Sequence, residues 1–190
     1  MRSILVGWIL IAPIGLIGGQ TPDHVHAADC PIENTAAPSP YTGFAQREIK
    51  ALSDDDRRQL LAGHGMGLAL AAELNRFPGP KHVLELADEL ELGDEQVHAA
   101  QEIFDEMGRR AQRLGRVVIE KEAELDANFA AGTIDQNELA RSVHEIGRLR
   151  GELRLTHLRA HLQMRAAMSE DQVATYDRLR GYRREGPSGR

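Results

Sequence analysis

Apolar residues recur at helical spacing over two unusually long stretches, and this pattern constrains the chain more than any other. From Asp94-Glu95-Gln96 onward, Val97, Phe104, Met107, Ala111, Leu114, Val118, Leu125 and Phe129 return at threes, fours and sevens. That is the stripe of one helix of about nine turns. Ala131-Gly132-Thr133 stops it, and Asp135 with Glu138 has the spacing of a capping box. A second stripe follows through Leu139, Val143, Ile146, Leu149, Leu153, His157 and Met164. Two long helices joined by a tight turn fold back on each other, so the fold class expected is all-α: a long antiparallel helical hairpin with shorter flanking helices. The aromatic supply of 4% leaves too few strand-forming residues for a sandwich or barrel.

Shorter helices flank the hairpin. Ser53 before Asp54, Asp55 and Asp56 places a capping hydroxyl and three acids where a helix dipole favours negative charge. The helix it opens carries Leu60, Leu61, His64, Leu68, Ala71 and Ala72 and is expected to run to about Asn75, before the break Phe77-Pro78-Gly79-Pro80. Lys81 to Leu92 reads as a short amphipathic helix through Val83, Leu86, Ala87 and Leu90. Ser169 with Gln172 caps a last helix through Val173, Tyr176 and Leu179, closed by Gly181. The stripes are too long to bury themselves within one chain, so a homodimer is expected.

The first residues read differently. Arg2, the apolar run Ile4 to Ile17 and the small residues ending at Ala27 form the pattern of a cleavable signal peptide, residues 1–27. The run of about 14 residues is short of the roughly 20 that span a bilayer. Residues 28–48 read as a disordered linker, 49–182 as the helical domain and 183–190 as a basic tail. The single cysteine, Cys30, lies in the Ala/Pro/Ser-rich segment; Asp29 before it argues against lipidation, and it reads as an inert thiol or a link between two chains. A net charge of −6 argues against nucleic acid as a partner. Arg178, Arg180, Arg183, Arg184 and Arg190 read as helix-end compensation and solubility.

The densest chemistry is in residues 157–168. His157, His161, Met164 and Met168 fall within a sector of about 60°, so two imidazoles and two thioethers share one helix face. An i, i+4 histidine pair can chelate one ion, and this donor set suits a transition metal such as zinc, nickel, cobalt or copper. The bland alternative is that His and Met continue the core stripe. His64, in Gly63-His64-Gly65-Met66-Gly67, is a candidate to complete the shell from the first helix. Those glycines follow no strand and miss the spacing of a dinucleotide-binding loop. Glu48, Glu73, Glu85 and Glu89 offer carboxylates without a recognisable acid/base pair, and no nucleophile elbow is present, so an enzyme and an organic cofactor are not expected.

Leu92-Gly93-Asp94-Glu95-Gln96 and Met168-Ser169-Glu170-Asp171-Gln172, each opening a helix, resemble two degenerate LTxxQ motifs of the Spy/CpxP and periplasmic heavy-metal sensor superfamily. The resemblance covers residues 50–182. Gly93 stands where Thr is usual, and Met168-Ser169 replaces Leu-Thr. It implies a periplasmic, four-helix, hooked-hairpin dimer without enzymatic activity. Relatives of that kind act as heavy-metal sensors feeding a membrane-bound signalling protein, as inhibitors of envelope-stress kinases, or as ATP-independent chaperones of unfolded clients. Sensor members ligate metal through helical HxxxH-like and HxxxM-like spacings, which His157, His161 and Met164 resemble in type.

Overall fold

The computed structural model describes residues 38–182. Residues 1–27, read as a signal peptide, residues 28–37 with Cys30, read as linker, and the segment from 183 onward, read as a basic tail, lie outside the described residues. The chain divides into two units, Met1–Pro38 and Ser39–Arg190. Its regular elements are a short 3-10 helix, Thr42–Gln46, and helices α1 (Asp54–Ala62), α2 (Leu70–Glu73), α3 (Pro80–Glu85), α4 (Asp94–Ala130), α5 (Gln136–Ala167) and α6 (Glu170–Leu179). No strand occurs among the described residues.

The long helices begin and end where local chemistry dictates. Gly132, at φ 65°, turns the chain after α4, and the Asp135 side chain accepts the Glu138 N–H at 2.8 Å to open α5. Contacts between them pair Gln96 with Ala167, Arg110 with Glu152 at 3.2 Å, and Glu122 with Arg150 at 2.7 Å. Positions on α5 fall as those on α4 rise.

Two helices are shorter than their periodicity suggests. The helix opened by Ser53 starts as expected: its hydroxyl accepts the Asp56 N–H at 3.0 Å, while the Asp56 carboxylate takes the Ser53 N–H at 3.0 Å. The serine hydroxyl, bonded to this carboxylate, lowers the Asp56 pKa. The helix does not continue to Asn75. Gly63 ends it in the left-handed region at φ 70°, Met66 and Gly67 follow at 46° and 77°, and only the single turn α2 resumes it. Gly63 also has no space for a side chain, because a Cβ would stand 3.0 Å from the Gly108 carbonyl oxygen. After α3, residues 86–91 continue in tight turns rather than as one helix to Leu92, with Leu86 N–H bonding Val83 O, Ala87 N–H bonding Leu84 O, and Glu91 left-handed at 49°. Within the segment read as linker, Thr42–Gln46 forms the 3-10 helix, and just after it Ile49 and Leu52, the first residues of the segment read as the helical domain, are buried in the core.

Two apolar clusters hold the unit together. In the first, Ile49, Leu52 and Leu60 pack against Ala111 and Val118 of α4 and Leu149 and Leu153 of α5. In the second, Val83 and Leu90 meet Met164, Met168, Val173 and Tyr176. Beside the second cluster, the glutamines of the two similar motifs bond to each other. Gln96 Nε2 donates to Gln172 Oε1 at 3.0 Å and to Ala167 O at 2.8 Å; Gln172 Nε2 donates to Gln96 Oε1 at 2.9 Å and to Leu90 O at 3.3 Å. Each Oε1 also accepts its own cap N–H, from Gly93 and Ser169. The starts of α4 and α6 are thereby tied together.

Candidate functional site

The helix break at Gly63 has a direct consequence for the site. The glycine-rich turn carries His64 and Met66 away from α1 and forms one wall of a cavity of about 650 Å³. Gly79 and Pro80 line it from a second side, Phe104, Met107 and Gly108 of α4 from a third, and His157 and His161 from α5. His64, His157 and His161 are therefore brought to one cavity. Met164 and Met168 are not: both are buried in the second apolar cluster and neither lines the cavity. They share the angular sector of His157, but Met164 lies about 10 Å further along the helix axis, in the layer covered by α3 and α6.

The two imidazoles are held differently. His161 Nδ1 lies 2.7 Å from the Phe77 carbonyl oxygen, a contact that requires the proton on Nδ1 and leaves the lone pair on Nε2. The Glu73 carboxylate stands behind it, 3.6 Å from the same nitrogen. Gly79 packs closely here: a Cβ would sit 3.1 Å from His161 Nε2 and 3.3 Å from Glu73 Oε2, so both side chains would have to give way to one. His157 is 3% exposed, and its Nε2 has no hydrogen-bonding partner. Its Nδ1 edge faces Gly65, whose Cβ position would be 3.7 Å away. Burial, with a smaller contribution from His161, lowers the His157 pKa to about 4, so the ring is uncharged at neutral pH.

Folding stability should record that shift. The folded pKa lies below the ordinary value of 6.5, so the folded chain resists a proton that the unfolded chain accepts. The contribution is complete above pH 6.5 and is lost as pH falls towards 4, amounting to about 3 kcal/mol. Between pH 7 and 4, denaturant melts of the unsubstituted chain should therefore lose stability more steeply than those of His157→Leu. Parallel slopes for the two proteins would contradict the assignment.

Glu73 is the residue whose position the sequence did not reveal. It is 7% exposed and joins elements far apart in the chain. Oε1 accepts from the hydroxyls of Tyr176 at 2.5 Å and Tyr182 at 2.8 Å, and Oε2 accepts the Gly79 N–H at 3.0 Å. Arg180 Nε lies 3.8 Å from Oε1. Burial first, then the bond to Glu73, raises the Tyr176 pKa far above its ordinary range, and burial likewise raises that of Tyr182. The local signal is faint: a single acid after Ala69-Leu70-Ala71-Ala72, just before the Pro/Gly break.

Chemically, the site offers two imidazoles, that of His157 uncharged at neutral pH, with a carboxylate behind that of His161. Among the described residues, no three His, Cys, Asp or Glu side chains already converge as a metal cage. No protein-family model, curated protein or solved structure significantly matches this chain.

Proposed function

We propose that the protein is a non-enzymatic, metal-responsive protein of the periplasm, a heavy-metal sensor or resistance protein that binds a divalent transition metal at His157 and His161. The observation that carries the reading is the state of the two rings. Metal ligation needs deprotonated imidazole nitrogens. His161 has its Nδ1 proton anchored on a backbone carbonyl with a carboxylate behind, the outer-shell arrangement that orients a ligating histidine. His157 is kept uncharged by burial. His64, which lines the same cavity, would complete the shell, with water in the remaining positions. Met164 and Met168 have no part in this site.

The Spy/CpxP-type antiparallel hairpin belongs to the same proposal and is supported by the reciprocal Gln96–Gln172 bonds, which join the two LTxxQ-like segments. The pattern of residues 1–27 supports export. The apolar stripe of α5 runs past the end of the core into half-exposed Val143 and Leu139, a surface suited to a second copy of the chain. A membrane-bound signalling protein would read the metal-loaded state.

Calorimetry with nickel, cobalt, copper and zinc tests the proposal. At least one ion should bind with a Kd below about 100 μM, and His157→Ala with His161→Ala should weaken it at least about tenfold. Unchanged affinity in the double variant would remove the site. A second reading, an ATP-independent holdase, is favoured by exposed Phe129, Leu70, Leu74 and Leu162. Suppression of client aggregation that persists in the double variant, together with no metal binding, would favour it.

A further inference from the structure

A metal ion with its ligands fills only a small part of this cavity. Its volume of about 650 Å³ lies in the range of small-molecule sites. Met66, Leu70, Phe104 and Met107 form its apolar lining, and Gly63 and Gly65 give it a wall without side chains.

The polar groups define what can enter. His161 presents a bare Nε2, since its Nδ1 proton is committed to Phe77 O. His157 is a buried ring with no partner for Nε2 and with its Nδ1 edge towards Gly65 on the cavity wall. Depending on tautomer, that nitrogen donates or accepts. Both Glu73 oxygens are already engaged, by two tyrosine hydroxyls and the Gly79 N–H. Asp105, the other lining carboxylate, is solvent-exposed and accepts the Gln101 amide at 2.9 Å, so an organic ammonium ion, which imidazole lone pairs do not ligate as they do a metal, would find no buried carboxylate free to pair with it. An anion would meet the charge of Glu73, while the lining cations Lys81 and Arg109 are paired with Glu85 and Glu106. A neutral hydroxyl, both donor and acceptor, can give its one O–H to His161 Nε2 and accept from His157 in the tautomer that carries the proton on Nδ1. Two thioethers and a phenyl ring favour an aromatic body behind it.

We propose that the cavity binds a small neutral aromatic alcohol, with its hydroxyl at His157 and His161 and its ring among Met66, Phe104 and Met107. This goes beyond metal binding and needs no ion, so it is tested on the full chain treated with chelator. Fluorescence titration with 2-naphthol should show one saturable site with a Kd below about 100 μM. 2-Methylnaphthalene, which lacks the hydroxyl, and anionic 2-naphthoate should each bind at least about tenfold more weakly. Leu70→Arg changes a half-exposed lining residue outside both core clusters, and should also weaken 2-naphthol binding about tenfold. Affinities for alcohol and hydrocarbon within about twofold of each other, no saturation up to about 1 mM, or an unchanged Leu70→Arg titration would each overturn the proposal. Failure of nickel or zinc to bind would leave this result standing, which separates the two proposals.

Discussion

Gly115→Ala is expected to destabilise the protein by about 3 kcal/mol, against the usual preference of a helix for alanine. Gly115 lies inside α4 where α1 crosses it, and a Cβ there would stand 2.2 Å from the Leu60 carbonyl oxygen and 2.8 Å from its carbon. Both contacts are roughly an ångström or more short of van der Waals separation. The obstacle is backbone, so no rotamer relieves it, and α1 must move off the core cluster that Leu60 helps to fill. Intrinsic propensity would return at most about 1 kcal/mol, so the clash decides the sign. Gly147→Ala is the matched control. Gly147 lies inside α5 with nothing within 4 Å of its Cβ position, and the substitution should stabilise by about 0.5–1 kcal/mol. Urea midpoints for the two variants should move in opposite directions at unchanged slope. A Gly115→Ala midpoint at or above that of the unsubstituted chain would show that α1 does not press on α4 as described.

Glu73→Ala should be similarly severe, with a loss of about 3–5 kcal/mol. The substitution leaves the hydroxyl of fully buried Tyr176 and the Gly79 N–H without their acceptor, and it exposes Tyr182 and Arg180 to a void. Each orphaned buried donor costs about 1–3 kcal/mol. Glu73→Gln keeps the shape and one acceptor, and a tyrosine hydroxyl can turn to accept from the new amide, so its loss should be less than half as large. Equal losses in denaturant melts of the two variants would mean that shape, rather than hydrogen bonding, is what Glu73 contributes. Because Glu73 also stands behind His161, the alanine variant should alter metal affinity as well as stability.

These two residues also mark where local reading of the chain stops. The capping pairs Ser53/Asp56 and Ser169/Gln172, and the stop at Ala131-Gly132-Thr133, are encoded within three or four residues, and the helix ends they mark are found where the sequence places them. The overrun of the first helix has an equally definite cause. Leu68 and Ala72 continue the spacing of Leu60, but periodicity carries no information about backbone handedness, and Gly63 and Gly67 adopt left-handed angles that interrupt the coil. The alternating glycines were the visible sign.

The site was legible to the extent that one helix carries it. His157 and His161 share a face, as one turn of α5 requires. An angular sector says nothing of depth along the axis, and so Met164 and Met168 were grouped with the histidines although other elements bury them. Glu73 meets tyrosines more than a hundred residues away, and the cavity exists only because the Gly63–Gly67 turn swings outward; neither follows from spacing. The Gln96–Gln172 bonds stand between these cases: each glutamine belongs to a visible motif, but their partnership is tertiary.

His157 and His161 are the proposed metal ligands, and X-ray absorption at the nickel or zinc edge of the loaded protein examines that most directly. Outer-shell scattering from two or three imidazoles is predicted, falling by two in His157→Ala with His161→Ala and unchanged in Met164→Leu. A first shell of oxygen alone, or an imidazole count that the double variant leaves intact, would contradict it.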